Sequence, residues 1–135
     1  MPGYSGTPLW KKLGYADGTR AWVRGEPADY TAMLGLPSEV RVEWLARARR
    51  ELAFAHIFET EAAKLASQIT TLRNTIAPNG IVWVSWPKKA SGVATDITED
   101  RIRDIALPMG FVDIKVCAVD ETWSGLKLVI RKSER

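Results

Sequence analysis

The chain has 135 residues, of which 46% are hydrophobic and 26% charged, and its formal net charge is +3. This length predicts a single domain over residues 1–135. The composition excludes a disordered or fibrous chain, and no apolar run reaches the roughly 20 residues that span a bilayer. So small a basic excess does not by itself indicate nucleic-acid binding.

Cysteine and histidine each occur once, as Cys117 and His56. A single cysteine excludes an internal disulfide and a thiolate zinc cluster, and a single histidine excludes paired-histidine metal sites. A carboxylate site could still hold magnesium, but no compact acidic signature marks one, so we expect no metal. Cys117 lies in an apolar strand, which favours an inert thiol over a nucleophile. His56 also lies in an apolar strand and is predicted to be a packed histidine, because a general base would need a nearby carboxylate partner.

The first half of the sequence predicts short elements separated by turns. Thr7 and Pro8 open a helix that Gly14 closes, and Pro27 opens a second helix that Gly35 closes. Residues 46–51 are predicted to be a loop. The predicted strands of this half are residues 20–24, 40–45 and 52–58.

The second half predicts longer elements. Apolar residues at helical spacing predict a helix over residues 61–77, with Thr60 as a candidate cap. Thr98 is predicted to cap another helix. Strands follow at residues 81–86, 111–119 and 126–131, and the first is apolar on both faces, as in a central parallel strand. The alternation predicts a three-layer α/β sandwich, Rossmann-like, with a mainly parallel sheet.

Residues 72–132 resemble the closing half of class I S-adenosylmethionine-dependent methyltransferases, from their fifth to their seventh strand. Residues 52–58 are similar to the fourth strand of that fold. The resemblance implies a methyltransferase-like fold in which the last strand is antiparallel and lies beside the fifth.

The donor-binding loop of that family is missing from this sequence. The family holds its methyl donor over a glycine-rich loop after the first strand, and an acidic residue after the second strand binds the ribose. Here residues 24–29 contain only Gly25, Pro27 has no N–H to offer, and Ala46 and Arg47 follow the second strand. No glycine loop for S-adenosylmethionine or a nicotinamide dinucleotide is present. The cofactor therefore stays unknown, and the sequence argues against an active methyltransferase.

A second resemblance covers nearly the whole chain. Residues 3–14, 85–96 and 119–127 are similar to segments of a family of small bacterial proteins without an assigned activity. This resemblance implies a fold and the position of a site, but no reaction. With no signal peptide visible at the N-terminus, we expect a cytoplasmic location and no membrane association.

Two polar loops are the best candidates for a ligand site. Residues 87–96 (the lysine loop) and residues 120–124 (the tryptophan loop) both follow predicted strands, at the sheet edge where open α/β sheets bind ligands. Lysine ammonium groups and a hydroxyl suit a phosphate or carboxylate, carboxylates suit acid–base work or a sugar hydroxyl, and an aromatic ring suits stacking. The predicted ligand-binding residues are Lys88, Lys89, Ser91, Asp96, Asp120, Glu121 and Trp123.

Five of these residues also have an ordinary structural interpretation. The two lysines suit a solvated loop, Asp96 a helix cap, and Asp120 a turn. Trp123 and Trp86 suit core packing.

Three functional hypotheses follow, and the first is favoured. The chain is a domain without methyltransferase activity that binds a small anionic ligand at this edge. Alternatively, it is a protein- or nucleic-acid-interaction module that uses a basic face including Arg47, Arg49 and Arg50. The third is a small enzyme that pairs one of the two loop lysines with one of the tryptophan-loop carboxylates. A homodimer through the last strands or a tryptophan-bearing face stays open.

Overall fold

A computed structural model describes residues 6–135 of the protein. Four α-helices and six strands alternate along these residues, with short 3₁₀ turns at Lys89–Ser91, Leu107–Met109 and Lys132–Glu134. The helices are α1 (Leu9–Leu13), α2 (Tyr30–Leu34), α3 (Ala62–Arg73) and α4 (Glu99–Ala106). The strands are β1 (Thr19–Arg24), β2 (Val42–Trp44), β3 (Leu52–Phe58), β4 (Ile76–Pro87), β5 (Phe111–Ala118) and β6 (Trp123–Ile130).

The strands form one mixed sheet in the order β2-β1-β3-β4-β6-β5. Strands β2, β1, β3 and β4 are parallel, and β6 is antiparallel to both of its neighbours, β4 and β5. The last strand therefore lies beside the central strand, as the resemblance implied. The predicted fold class, a Rossmann-like α/β sandwich with a mainly parallel sheet and an antiparallel C-terminal strand, is confirmed.

A hydrophobic cluster covers each face of the sheet, because successive side chains of a strand point to opposite faces. On β4, Val82, Val84 and Trp86 pack with α3 and α4 in one cluster. Trp83 packs in the other cluster, with α1 and α2, and its indole Nε1 donates a hydrogen bond to the Leu13 carbonyl oxygen at 2.7 Å. Fully buried Trp83 thus fixes the short first helix on the sheet.

The prediction of a helix over residues 61–77 was wrong at its C-terminal end. The helix ends at Arg73, and Ile76 already belongs to β4, where it pairs with Leu52. The β3–β4 register then shifts, and Ile81 is the next partner, opposite Phe54. Ile76 is buried in the strand, and the predicted helix would have buried it too. Its apolar character therefore could not show whether it belongs to the last turn of a helix or to the start of a strand. Irregular pairing at this point explains why a proline is tolerated inside the strand.

The start of α3 also differs from the prediction. Thr60 does not cap it. Instead Oδ1 of Asp96, from the lysine loop, accepts a hydrogen bond from the Ala62 N–H at 2.7 Å. Thr98 caps α4 as predicted, because its side chain accepts a hydrogen bond from the Arg101 N–H. The first, second, fifth and sixth strands differ from the prediction by one to three residues at their ends. The second helix was predicted to begin at Pro27 and begins at Tyr30.

The loop before β3 contains a strained residue. Glu51 has φ +63°, and it is the one residue other than glycine with positive φ within residues 6–135. Because the left-handed region costs a side chain roughly 1–2 kcal/mol, we expect Glu51→Gly to raise the free energy of unfolding by about 1 kcal/mol, measured by urea denaturation. Glu39→Gly, at an exposed residue without positive φ, should lower it by about as much. A loss of stability in Glu51→Gly would contradict the argument.

Candidate functional site

The two predicted loops meet at one edge of the sheet. Pro87, the last residue of β4, is the register partner of Trp123, the first residue of β6. One step further, the Lys88 N–H donates a hydrogen bond to the Thr122 carbonyl oxygen at 2.7 Å. The C-terminal ends of β1 and β3 lie along the same edge, because these strands run parallel to β4. The condition for a shared site, that the loops adjoin, is therefore met.

Three of the predicted site residues hold the loops in shape. Ser91 Oγ donates a hydrogen bond to the Lys88 carbonyl oxygen at 2.7 Å and accepts one from the Val93 N–H at 3.2 Å. Asp96 ties the lysine loop to the start of α3. Asp120 Oδ1 accepts hydrogen bonds from the N–H groups of Thr122 and Trp123, at 2.8 and 2.7 Å. These contacts agree with the capping and turn interpretations of the two carboxylates.

The charged groups that stay available are the two lysines and one glutamate. Lys88 is half-buried, whereas Lys89 and Glu121 are exposed. Within residues 6–135 none of the three side chains forms a hydrogen bond or an ion pair. No ammonium–carboxylate pair therefore exists within 4 Å among the residues proposed for an enzyme. Their position at this edge leaves them free to meet a ligand.

The two tryptophans of the edge lie on opposite faces of the sheet. Trp86 is buried in the cluster under α4. Trp123 is half-buried on the other face, with its ring edge-on to Phe58 at a centroid distance of 5.1 Å. Packing therefore accounts for Trp86, while part of Trp123 stays accessible beside the tryptophan loop.

A cavity of about 370 Å³ opens between the end of β4 and the start of α4. Its volume falls within the roughly 300–1,000 Å³ of typical ligand pockets. Among the predicted site residues only Lys89 lines it. Sequence reasoning missed its other lining residues as a group, because strand, loop and helix meet here only in the fold. They are Trp86, Pro87, Thr95, Ile97, Thr98 and Glu99.

The carboxylate of Glu99 at this cavity is already engaged. Arg103, one turn later on α4, approaches Glu99 Oε2 to 2.6 Å and Asp113 Oδ2 to 3.0 Å. Hydrogen bonds to Asp113 and Glu99 raise the pKa of Arg103. The negative charge of Glu99 is thus compensated from within the helix, and the ammonium of Lys89 is the uncompensated charge at the cavity.

His56 belongs to a buried chain of hydrogen bonds rather than to the sheet edge. Its Nδ1 lies 2.8 Å from the Tyr30 hydroxyl and its Nε2 lies 2.7 Å from Ser85 Oγ. The Tyr30 hydroxyl also contacts that of Tyr15 at 2.7 Å. Burial lowers the pKa of His56 to about 3, so the ring is neutral. The predicted packed histidine is confirmed, and its hydrogen-bonding partners are hydroxyl groups, not carboxylates.

The end of β1, where methyltransferases hold their donor, is shaped by packing. Gly25 has φ +74°, and a Cβ placed on it would collide with the carbonyl oxygen of Phe58 on β3. The one glycine of this segment therefore serves the close approach of two strands. Beyond it lies a cavity of about 190 Å³, whose lining includes Glu26, Tyr30 and Trp44.

The two basic groups named in the alternative hypothesis lie at opposite edges of the sheet. Arg49 and Arg50, with Arg20, line a small cavity of about 80 Å³ next to the first residues of β3. Lys88 and Lys89 follow the last residue of β4, at the opposite edge of the sheet. Strands of about seven residues separate the two groups by roughly 20 Å. The basic face of the alternative hypothesis is therefore divided into two patches.

Cys117 is half-buried on β5, and burial raises the pKa of its thiol. This agrees with the inert thiol predicted from its sequence neighbourhood. Residues 6–135 contain no group of three or more His, Cys, Asp or Glu side chains arranged to hold a metal ion. No helix in this part of the chain has the length and apolar character to cross a membrane.

Comparison with known proteins identifies the fold. No protein-family model and no curated protein matches the sequence. Among solved structures, a SAM-dependent methyltransferase from Aquifex aeolicus matches with a TM-score of 0.62 and 14% identity, over 89% of this chain and 86% of that one. Fibrillarin from Aeropyrum pernix, bound to S-adenosyl-L-methionine, matches with a TM-score of 0.55 and 11% identity, over 87% and 69%.

The same fold also occurs in an enzyme of a different kind. A structure described as a pericyclic reaction enzyme matches with a TM-score of 0.53 and 9% identity, over 93% of this chain and 47% of that one. Identities this low show a methyltransferase-like fold and no more, because function resides in the site built on a fold. The resemblance to small bacterial proteins, the cytoplasmic location and the ligand-binding roles of the seven residues stay predictions.

Proposed function

We propose that this protein is a binding domain of methyltransferase-like fold that holds a small anionic ligand at the edge formed by the lysine and tryptophan loops. Phosphate and carboxylate groups are the chemistry that the site favours. The observation that carries the proposal is the position of Lys89, which lines a cavity of ligand size and, like its neighbour Lys88, has no ion-pair partner within residues 6–135. Glu121, in the adjoining tryptophan loop, would lie along the same edge. Trp123 lies on the other face of the sheet from this cavity, so it would contact only a ligand that extends past the edge.

Methyl transfer is not part of this proposal. Gly25 lies where β1 packs closely against β3, and Pro27 has no N–H to donate to a ligand. The cavity beyond these two residues is smaller than typical ligand pockets. The end of β1, where the resemblance to methyltransferases places the donor, is thus narrow. Its cavity is lined by residues that include Trp44 and Tyr30. The small-enzyme alternative pairs a loop lysine with Asp120 or Glu121, and no such pair lies within 4 Å among residues 6–135.

The first test is the double variant Lys88→Ala with Lys89→Ala. The wild-type protein is titrated with inorganic phosphate, sugar phosphates, nucleotides and S-adenosylmethionine, and binding is read as a thermal shift. A probe at about a hundred times its dissociation constant should add about 2.7 kcal/mol to the free energy of unfolding. In the double variant we expect binding to weaken at least about 100-fold, because each of the two charge-assisted hydrogen bonds contributes roughly 1.5–3 kcal/mol.

The control variant removes the same charge elsewhere. Arg47→Ala with Arg49→Ala, in exposed residues of the loop before β3, should leave the affinity almost unchanged. Both double variants should fold with nearly wild-type stability, because their side chains are exposed or half-buried. Equal weakening in both would indicate nonspecific charge attraction, and a hit with S-adenosylmethionine alone would contradict the proposal.

A further inference from the structure

The cavity at the C-terminal ends of β1 and β2 is a second candidate site, separate from the edge loops. It has a volume of about 190 Å³ and lies beyond Val23 of β1. No lysine or arginine lines it. Its lining includes Glu26, Tyr30 and Trp44.

Aromatic rings dominate one wall of this cavity. Trp44 ends β2 with 42% of its surface exposed, which is unusual for so large an apolar side chain. Its ring stands nearly perpendicular to that of Tyr30, at a centroid distance of 6.2 Å, and tilted to that of Tyr15, at 5.7 Å. An exposed indole supported by two buried tyrosine rings is a rigid surface with a negative π face.

A carboxylate without a partner stands beside these rings. Glu26 is exposed and forms no hydrogen bond or ion pair within residues 6–135. Burial is the main cause of the raised pKa of both Tyr15 and Tyr30. The negative charge of Glu26 raises both pKa values further. The tyrosine hydroxyls do not compensate that charge, because they are engaged with each other and with His56.

We propose that this cavity binds a small organic cation, an alkylammonium group, with the Trp44 ring against its alkyl face and the Glu26 carboxylate beside its charge. Quaternary ammonium groups are recognised by aromatic rings through cation–π attraction. A cavity of this volume accommodates a head group rather than a large ligand. An anion would face an uncompensated carboxylate here, so the two sites differ in the sign of the ligand that they take.

The test uses choline and its neutral isostere 3,3-dimethylbutan-1-ol, which share their shape and differ in charge. Binding is followed in ¹⁵N-labelled protein through the indole N–H signals of the six tryptophans, and the Trp44 signal is assigned as the one missing from Trp44→Phe. We expect choline to shift the Trp44 signal and the isostere to bind at least about 10-fold more weakly. Equal binding of the two, or shifts confined to other tryptophans, would overturn the proposal.

Two variants test the carboxylate. Glu26→Gln should weaken choline about 10-fold, whereas Glu39→Gln, another exposed glutamate away from the cavity, should leave it unchanged. An unchanged affinity in Glu26→Gln would overturn the role of the charge. A trimethyllysine peptide titrated in parallel identifies the source of the cation. Tighter binding than choline indicates a protein side chain, and weaker binding indicates a free small molecule.

Discussion

Gly25→Ala should lower the free energy of unfolding by at least about 3 kcal/mol. The left-handed backbone at this residue costs an alanine roughly 1–2 kcal/mol. The added Cβ would also meet the carbonyl oxygen of Phe58, a backbone atom of β3 that cannot move without disturbing the sheet. Urea denaturation at neutral pH measures the loss.

Gly35→Ala is the matched control for that experiment. Gly35 has a similar φ of +66°, at the end of α2, but a Cβ there would meet no atom within 4 Å. Its substitution should therefore show the conformational cost alone, about 1 kcal/mol. Equal losses in the two variants would mean that the approach of β1 to β3 is not tight, and that Gly25 could serve a ligand after all.

This comparison bears directly on function. In a donor-binding loop, glycine leaves space that the ligand fills. At Gly25 the corresponding space is filled by the neighbouring strand of the same chain. A single glycine after the first strand is therefore explained by the fold itself. Gly25 therefore gives no evidence of a donor site in this chain.

The sequence predicts the architecture better than it predicts the site. Apolar strands and helix signals are local, so the sheet could be derived, and residues 52–58 were correct at both ends. The boundary between α3 and β4 could not be derived. Whether Ile76 is helix or strand depends on its pairing with Leu52, and the two residues are separated in the chain by α3. Local periodicity carries no information about such a partner.

The candidate site shows the same limit. The two loops were found because their position follows from strand order, and the fold brings them together. The contacts of Asp96 could not be predicted, because its partner, the Ala62 N–H, lies 34 residues away. The organic-cation cavity was missed for a similar reason: Glu26, Tyr30 and Trp44 come from separate elements and carry no common motif.

Acidification from pH 7 to pH 5 should lower the free energy of unfolding by about 2 kcal/mol, almost entirely through His56. Burial holds the pKa of folded His56 at about 3, below the unperturbed value of 6.5. The unfolded chain therefore binds a proton below about pH 6.5 that the folded protein does not accept, and stability falls as the pH decreases. The loss continues towards pH 3 and then levels off.

His56 can be isolated because it is the one histidine in the sequence. Free carboxylic acids titrate near pH 4, below the interval from pH 7 to 5. Urea denaturation at several pH values gives the slope, and we expect the slope to be nearly absent in His56→Gln. That variant should also be less stable at pH 7, because its amide cannot reproduce both ring contacts with Tyr30 and Ser85.

A second measurement keeps the prediction testable if His56→Gln does not fold. In the folded wild-type protein, the Cε1–H signal of the imidazole should stay constant from pH 7 to about pH 4.5, whereas an accessible histidine titrates near 6.5. A signal that titrates near pH 6.5 would contradict the prediction, because the folded protein would then accept the proton that burial is expected to exclude.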